Sequence, residues 1–368
     1  MIIDEIELFK KLLSFRSITP YDDGAFEFID DFLGTQWQVA KLNFGEVKNR
    51  VYIKKFGNSD INICFAGHID VVPAGDGWNT NPFKPTIKNR KIFARGSQDM
   101  KSGVASFLYA CKHTKNFKGT LTIVLTSDEE GEATHGTVKV LEYLKEQNSL
   151  PDFAVVAEPT CEKVFGDILK IGRRGSINGY LQLQGEQGHV AYPEKATNPI
   201  QQIASILPKI SNKNIDDGDK FFAPSKLVIT DIRAGMQVVN VTPNNLKLMF
   251  NVRNSTKTTQ KEINILVDKY FSGLKYDFRM TQSSYPFVTN KNSLIVQKLQ
   301  IAIKKVLKID TKFSTAGGTS DARFFALFDI DVVEFGVIND KIHKANESTT
   351  IDEVKALQKI FKELLELF

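Results

Sequence analysis

Three short apolar runs, at 61–66, 120–126 and 153–157, alternate with stretches of helical period at 102–114 and 134–147, and each run empties into a segment carrying His, Asp or Glu. Alternating strand and helix patterns imply a sheet covered by helices, and open sheets of that kind hold ligands along the edge where the strands run out. Beyond residue 172 the texture changes. Longer alternating strands at 176–183 and 246–253, with helical patterns near 197–209 and 259–272, imply a half-exposed antiparallel sheet with two helices. After about residue 286 the first texture returns, with helices at 291–307, 320–327 and from 351, and a strand at 332–335. The expected architecture is therefore α/β: a larger domain of 1–174 and 287–368, with a mixed sheet flanked by helices, and an inserted α+β domain of 175–286. A chain of 368 residues, 42% of them hydrophobic, is long enough for two such cores. Residues 212–219 read as the flexible loop.

Charge and cysteine content narrow the function. The net charge of +5 comes from 48 basic residues spread among 43 acidic ones without a long basic run, which argues against nucleic acid as a partner. Cys64, Cys111 and Cys161 are too few and too widely spaced for a disulfide framework or a cysteine zinc ribbon. Residues 1–13 carry apolar residues at helical spacing with acids between them, unlike a signal peptide, and no apolar run approaches the roughly 20 residues of a membrane span. A cytoplasmic protein is expected.

Five constellations can carry chemistry. In His68-Ile-Asp70 the spacing puts both side chains on one face of a strand, so that His68 can bind a metal while Asp70 fixes its tautomer. The same pair also fits a hydrogen-bonded strand terminus. Asp99, in Gly96-Ser-Gln-Asp99-Met-Lys-Ser-Gly103, stands in a turn just before a helix and also fits an N-cap. Asp128-Glu129-Glu130 clusters three carboxylates that repel one another unless a cation sits among them or water solvates them on an exposed turn. Glu158 ends a further apolar strand, and His343 lies in Lys341-Ile-His343-Lys-Ala-Asn-Glu347. Because four of the five lie at strand ends, one shared site explains them better than coincidence. Two zinc ions among Asp99 as a bridge, Glu130 and Glu158, with one bridging hydroxide, reach neutrality, and His68 and His343 add one nitrogen to each ion. Glu129 is left over as general base for the bridging water.

In His68-Ile-Asp70, Asp99-Met-Lys, Glu129-Glu130-Gly, Glu158-Pro-Thr and His343, taken in this order, the chain resembles the di-zinc amidohydrolases, a family of aminoacylases, carboxypeptidases and desuccinylases. Within it, Gly172-Arg-Arg-Gly-Ser176, Gly188-His-Val-Ala-Tyr-Pro193, Val239-Asn-Val-Thr-Pro243 and Gly317-Gly-Thr-Ser-Asp-Ala-Arg-Phe324 are most similar to the bacterial desuccinylase branch. The resemblance implies a zinc-hydrolase catalytic domain, an inserted dimerisation (lid) domain and a homodimer. It implies two zinc ions per subunit, replaceable by cobalt, and hydrolysis of N-succinyl-L,L-2,6-diaminopimelate to succinate and L,L-diaminopimelate in lysine and diaminopimelate biosynthesis. Carried over by position, it puts His68, Asp99 and Glu158 on one zinc and Asp99, Glu130 and His343 on the other. Asp70 and Glu129 keep their supporting and base roles, and His189 reaches the reaction centre from the other subunit. For substrate contacts it implies Arg174, Tyr192, Asn240, Arg253, Gly318, Thr319 and Asn339.

Gln98 departs from the small residue expected before the bridging acid. A substrate with several carboxylates calls for guanidinium forks, for which Arg173, Arg174, Arg253 and Arg323 are candidates; each also fits a surface residue, Arg323 on its helix pattern more than Arg173 or Arg174. Gly317-Gly318 reads as a plain turn or a close approach to a carboxylate. His113 and His135 read as surface or helix-capping residues. Rival functions are sister deacylases or peptidases, acting on acetylornithine, acylated amino acids or small peptides, and a non-catalytic metal-binding relative.

Overall fold

The strand Asn62–His68 is buried along nearly its whole length because parallel strands flank it on both sides, Gly119–Thr126 on one and Phe153–Val156 on the other. This explains an apolar run without polar alternation. The computed structural model describes residues 3–368. These form two compact units: 3–172, 289–314 and 320–368 make the first, and 173–288 with 315–319 the second.

In the first unit the strands Gln38–Phe44, Val47–Phe56, Gly119–Thr126, Asn62–His68, Phe153–Val156, Asp331–Glu334, Ile168–Lys170 and Lys312–Ser314 lie side by side in that order. The first two pair antiparallel, the next four have parallel neighbours through Asp331–Glu334, and Ile168–Lys170 reverses. Helices Lys101–His113 and Ile351–Glu366 cover one face. The Phe65 ring lies 5.7 Å from that of Phe107 and 5.1 Å from that of Phe361, so one strand side chain packs against both helices. Burying each such ring contributes about 1.5–3 kcal/mol. Gly103 sets the approach: a Cβ there would stand 2.1 Å from the Ala157 carbonyl oxygen, so the helix rests directly on the strand end that carries Glu158. The helix expected at 1–13 is Glu5–Ser14, capped by the Asp4 carboxylate at the Ile6 and Glu7 amides and burying Ile6, Leu8, Phe9, Leu12 and Leu13. Met1 and Ile2, the start of that expected helix, lie outside the described residues. No helix among the described residues is long and apolar enough to cross a membrane.

The second unit is a four-stranded antiparallel sheet, Lys226–Ala234, Asn245–Arg253, Ser176–Gln184 and Tyr276–Ser284 in spatial order. Helix Gln260–Phe271 and the short helices Pro199–Ala204 and Leu207–Ile210 bury Ile203, Ile210, Ile263, Val267 and Phe271 against Leu181, Leu248, Phe250 and Val252 of the sheet. Residues 212–219 form a pinned turn rather than a loose loop. The Asp216 carboxylate accepts from the hydroxyls of Ser225 at 2.5 Å, Thr258 at 2.5 Å and Ser255 at 2.7 Å, and from the amides of Gly218 and Ser225. The polar composition that suggests a solvated loop supplies these partners instead.

Candidate metal centre

Three neighbouring parallel strands end at one edge of the large sheet, and each delivers an acid or a histidine there. His68 is the last residue of Asn62–His68, Glu129 and Glu130 follow Gly119–Thr126, and Glu158 follows Phe153–Val156. Asp99 comes from the turn before helix Lys101–His113. The N-cap position of that helix is Met100 and makes no side-chain cap, so the Asp99 carboxylate is not spent on capping. His343 enters from the loop before Ser348–Thr350.

The His68 Nε2 lies 3.2 Å from Asp99 Oδ1, 3.7 Å from Glu158 Oε1 and 3.9 Å from Glu129 Oε2. On the other side of Asp99, the His343 Nε2 lies 3.4 Å from Asp99 Oδ2 and 3.1 Å from Glu130 Oε1. Three groups of donor atoms lie within 4.8 Å of one another: the triads His68–Asp99–Glu158 and Asp99–Glu130–His343, which share Asp99, and a third, His68–Glu129–Glu130. The strand spacing predicts that Asp70 fixes the tautomer of His68. The hydrogen bond at Nδ1 is to the Asp70 carbonyl oxygen at 2.9 Å, and the carboxylate stands 3.6 Å away. That carboxylate instead accepts from the amides of Glu130 at 3.1 Å and Glu129 at 3.4 Å, holding the acidic turn in place.

Among the described residues, the two histidines are the cationic partners that lie within 4 Å of these carboxylates. Burial, reinforced by neighbouring acids, pushes Glu129 and Glu158 well above the usual carboxylate range, and burial lifts Asp70 to about 6. Burial also opposes ionisation of Asp99, but hydrogen bonds from His343 and His68 outweigh it and hold Asp99 below its usual range. The hydrogen bonds to Asp99 and Glu130 lift His343 to about 10, while at His68 the Asp99 bond and surrounding acids overcome burial. Imidazole nitrogen mixed with carboxylate oxygen suits a divalent transition metal better than magnesium or calcium, and each triad can hold one ion.

The remaining candidates fall elsewhere. Asn339 is in the first unit, its amide bonded to the Cys161 carbonyl at 3.0 Å. Arg174, His189, Tyr192, Asn240, Arg253, Gly318 and Thr319 belong to the second unit. There the His189 ring is 5.9 Å from that of Tyr192, and the Val190 amide donates to the Asn240 carbonyl at 3.1 Å, so His189, Tyr192 and Asn240 share one exposed surface. Gly317 has φ +110°, and a Cβ there would stand 2.5 Å from an Arg173 guanidinium nitrogen, whereas nothing crowds Gly318. His113 bonds the Tyr109 carbonyl within its helix, and the His135 amide donates to Asp128; neither joins the triads. Two supporting residues had no sequence assignment. Arg95 and Glu347 form a buried ion pair at 2.7 Å, and the Glu347 carboxylate also accepts from the amides of Gly96, Gln98 and Asp99. Their only sequence signal is a charged residue in each of two motif segments.

Among solved structures, the fold is similar to a metallo-carboxypeptidase of family M20 from Sulfolobus solfataricus, with TM-score 0.81, 17% identity and coverage of 100% of this chain and 99% of that one. It is also similar to a dinuclear metal-binding peptidase of family M20 from Bacillus subtilis, with TM-score 0.71, 15% identity and coverage of 99% and 97%. In sequence, the succinyl-diaminopimelate desuccinylase of Aliarcobacter butzleri is 60% identical over 99% of both chains, and that of Nautilia profundicola 58% over 98% of both. The sequence model of peptidase family M20/M25/M40 matches residues 64–367, a span that starts before His68 and ends after His343. By that match and by those relatives, the chain belongs to peptidase family M20/M25/M40.

Proposed function

We propose that this chain hydrolyses N-succinyl-L,L-2,6-diaminopimelate to succinate and L,L-2,6-diaminopimelate, a step of lysine and diaminopimelate biosynthesis. The observation that carries the reading is the pair of donor triads sharing Asp99, in a chain 60% identical to a desuccinylase along nearly its full length. His68, Asp99 and Glu158 would hold one zinc, and Asp99, Glu130 and His343 a second, with cobalt able to replace either. Bound there, the ions supply Lewis-acid polarisation of the amide carbonyl and a water acidified toward neutral pH.

The chain's own groups do the rest. Glu129 lies beside the triads without being needed in either, and its carboxylate accepts a proton as the water oxygen attacks the succinyl carbonyl carbon. The carbon–nitrogen bond then breaks. The proton held by Glu129 passes to the leaving nitrogen and the water's second proton follows it, so succinate departs as a carboxylate and the released amine of diaminopimelate as an ammonium. Asp70 holds the Glu129 and Glu130 amides, which keeps base and ligand in fixed relation.

The second unit acts as lid and dimerisation domain, with a homodimer formed through its exposed sheet edge or helices. In the dimer, His189 of one subunit serves the metal centre of the other as a donor to the developing oxyanion. Arg174 and Arg253 offer planar forks to the substrate carboxylates, with Tyr192, Asn240, Gly318, Thr319 and Asn339 completing the contacts. A cytoplasmic setting agrees with three buried free thiols.

The test is a panel of succinyl-diaminopimelate, N-acetylornithine and dipeptides presented to zinc-loaded protein. Highest kcat/KM on succinyl-diaminopimelate supports the reading. Preference for acetylornithine or a dipeptide replaces it with a sister activity.

A further inference from the structure

His343 is the most exposed of the six acids and histidines at the centre, with 49% of its side chain accessible against 14% or less for the others, and it sits on a loop rather than at a strand end. Its φ of +60° is a conformation that side chains other than glycine adopt only where the surroundings hold them. What holds this loop is found on the Asp99 turn. The buried Gln98 side chain reaches the 340–348 loop at three points: its Nε2 donates to Asp340 Oδ1 at 2.7 Å and to the Ser348 carbonyl at 3.0 Å, and its Oε1 accepts from the Lys341 amide at 2.8 Å. Its own amide donates to Glu347 at 2.7 Å. The bonds thus grip the loop on both sides of His343. A small residue before Asp99 would leave these partners to water.

We propose that Gln98 is a positioning residue that locks the 340–348 loop to the Asp99 turn and so fixes His343 against Asp99 and Glu130. It reaches the reaction only through His343, and one triad alone depends on it. His68, Asp99 and Glu158 stand on strand ends and on a turn whose amides Glu347 also holds. Loss of Gln98 therefore weakens the Asp99–Glu130–His343 position and spares the other.

This inference rests on the dinuclear reading above, and its test separates the two. Metal-free wild-type, Gln98→Ala and Gln98→Glu proteins are titrated with zinc against a chelating dye, and their melting temperatures are recorded. Wild type should bind two equivalents; failure to bind zinc overturns both the dinuclear reading and this one. For Gln98→Ala, one zinc should bind about 10–100-fold more weakly and the other within about threefold of wild type. Turnover should then recover with excess zinc. Gln98→Glu keeps the size but sets a carboxylate against Asp340, so it should show the same selective loss even if Gln98→Ala fails to fold. Adding Asp340→Asn to Gln98→Glu returns an N–H donor to that gap and should restore most of the lost affinity. Two unchanged affinities in Gln98→Glu, equal weakening of both, or absence of rescue by Asp340→Asn would each overturn the role of Gln98.

Discussion

The carbonyl oxygen of Asp70, not its carboxylate, is the hydrogen-bond partner of His68 Nδ1, at 2.9 Å. One residue therefore serves two parts of the site: its main chain orients the histidine, and its carboxylate, fully buried, gathers the amides of Glu129 and Glu130. Asp70→Asn retains the first function and impairs the second. Turnover is expected to fall about 10–100-fold with zinc still bound by the His68 triad. Steady-state kinetics alongside metal analysis check this, and loss of both metals in Asp70→Asn would place its main effect on His68 instead.

Adjacent carboxylates should separate by function. Glu129→Gln removes a proton acceptor and should lower kcat by about 10²–10⁴-fold with metal content kept, whereas Glu130→Gln should lose metal from the His343 triad. Equal metal loss in the two variants would remove Glu129 from the base role.

The strand ends were legible in the sequence because period and length suffice there: buried parallel strands read as continuous apolar runs, and their acids and His68 fall at the ends. The supporting contacts were not, because they join residues far apart in the chain. Gln98 meets Asp340 and Ser348, and Arg95 meets Glu347, pairings that no local pattern carries. Helix Ala25–Leu33 lacks a side-chain cap and starts after Gly24 in a left-handed conformation, so its beginning gives no capping signal. At 212–219, composition suggested solvation, but the turn is set by Asp216 and by hydroxyls up to 42 positions away.

Asp216 also gives a pH dependence. Burial opposes its charge, but bonds from Ser225, Thr258 and Ser255 outweigh that and hold its carboxyl well below the usual aspartate range. A depressed folded-state value means stability that is present above the unfolded value of about 3.9 and is lost as pH falls toward the folded one. Asp216→Asn should destabilise the second unit by on the order of 2 kcal/mol at neutral pH and flatten its loss of stability below about pH 4. Hydrogen exchange across 212–258 reads this directly. Equal protection in variant and wild type at pH 7 would show that the network adds nothing to stability.

If the donor of one subunit serves the other, two inactive variants should complement. Mixing His189→Ala with Glu129→Gln under subunit exchange yields heterodimers with one site that has both groups, and recovery should approach about a quarter of wild-type activity after random exchange. No recovery, with exchange verified, would confine His189 to its own subunit or remove it from catalysis.

Asp99 is the residue common to both triads. Metal-free protein titrated with zinc, with succinyl-diaminopimelate hydrolysis followed at each addition, should bind two equivalents and gain activity with them, and Asp99→Ala should lose tight binding at both positions together with activity. Full hydrolysis by the metal-free protein, or two tightly bound zinc ions in Asp99→Ala, would contradict it.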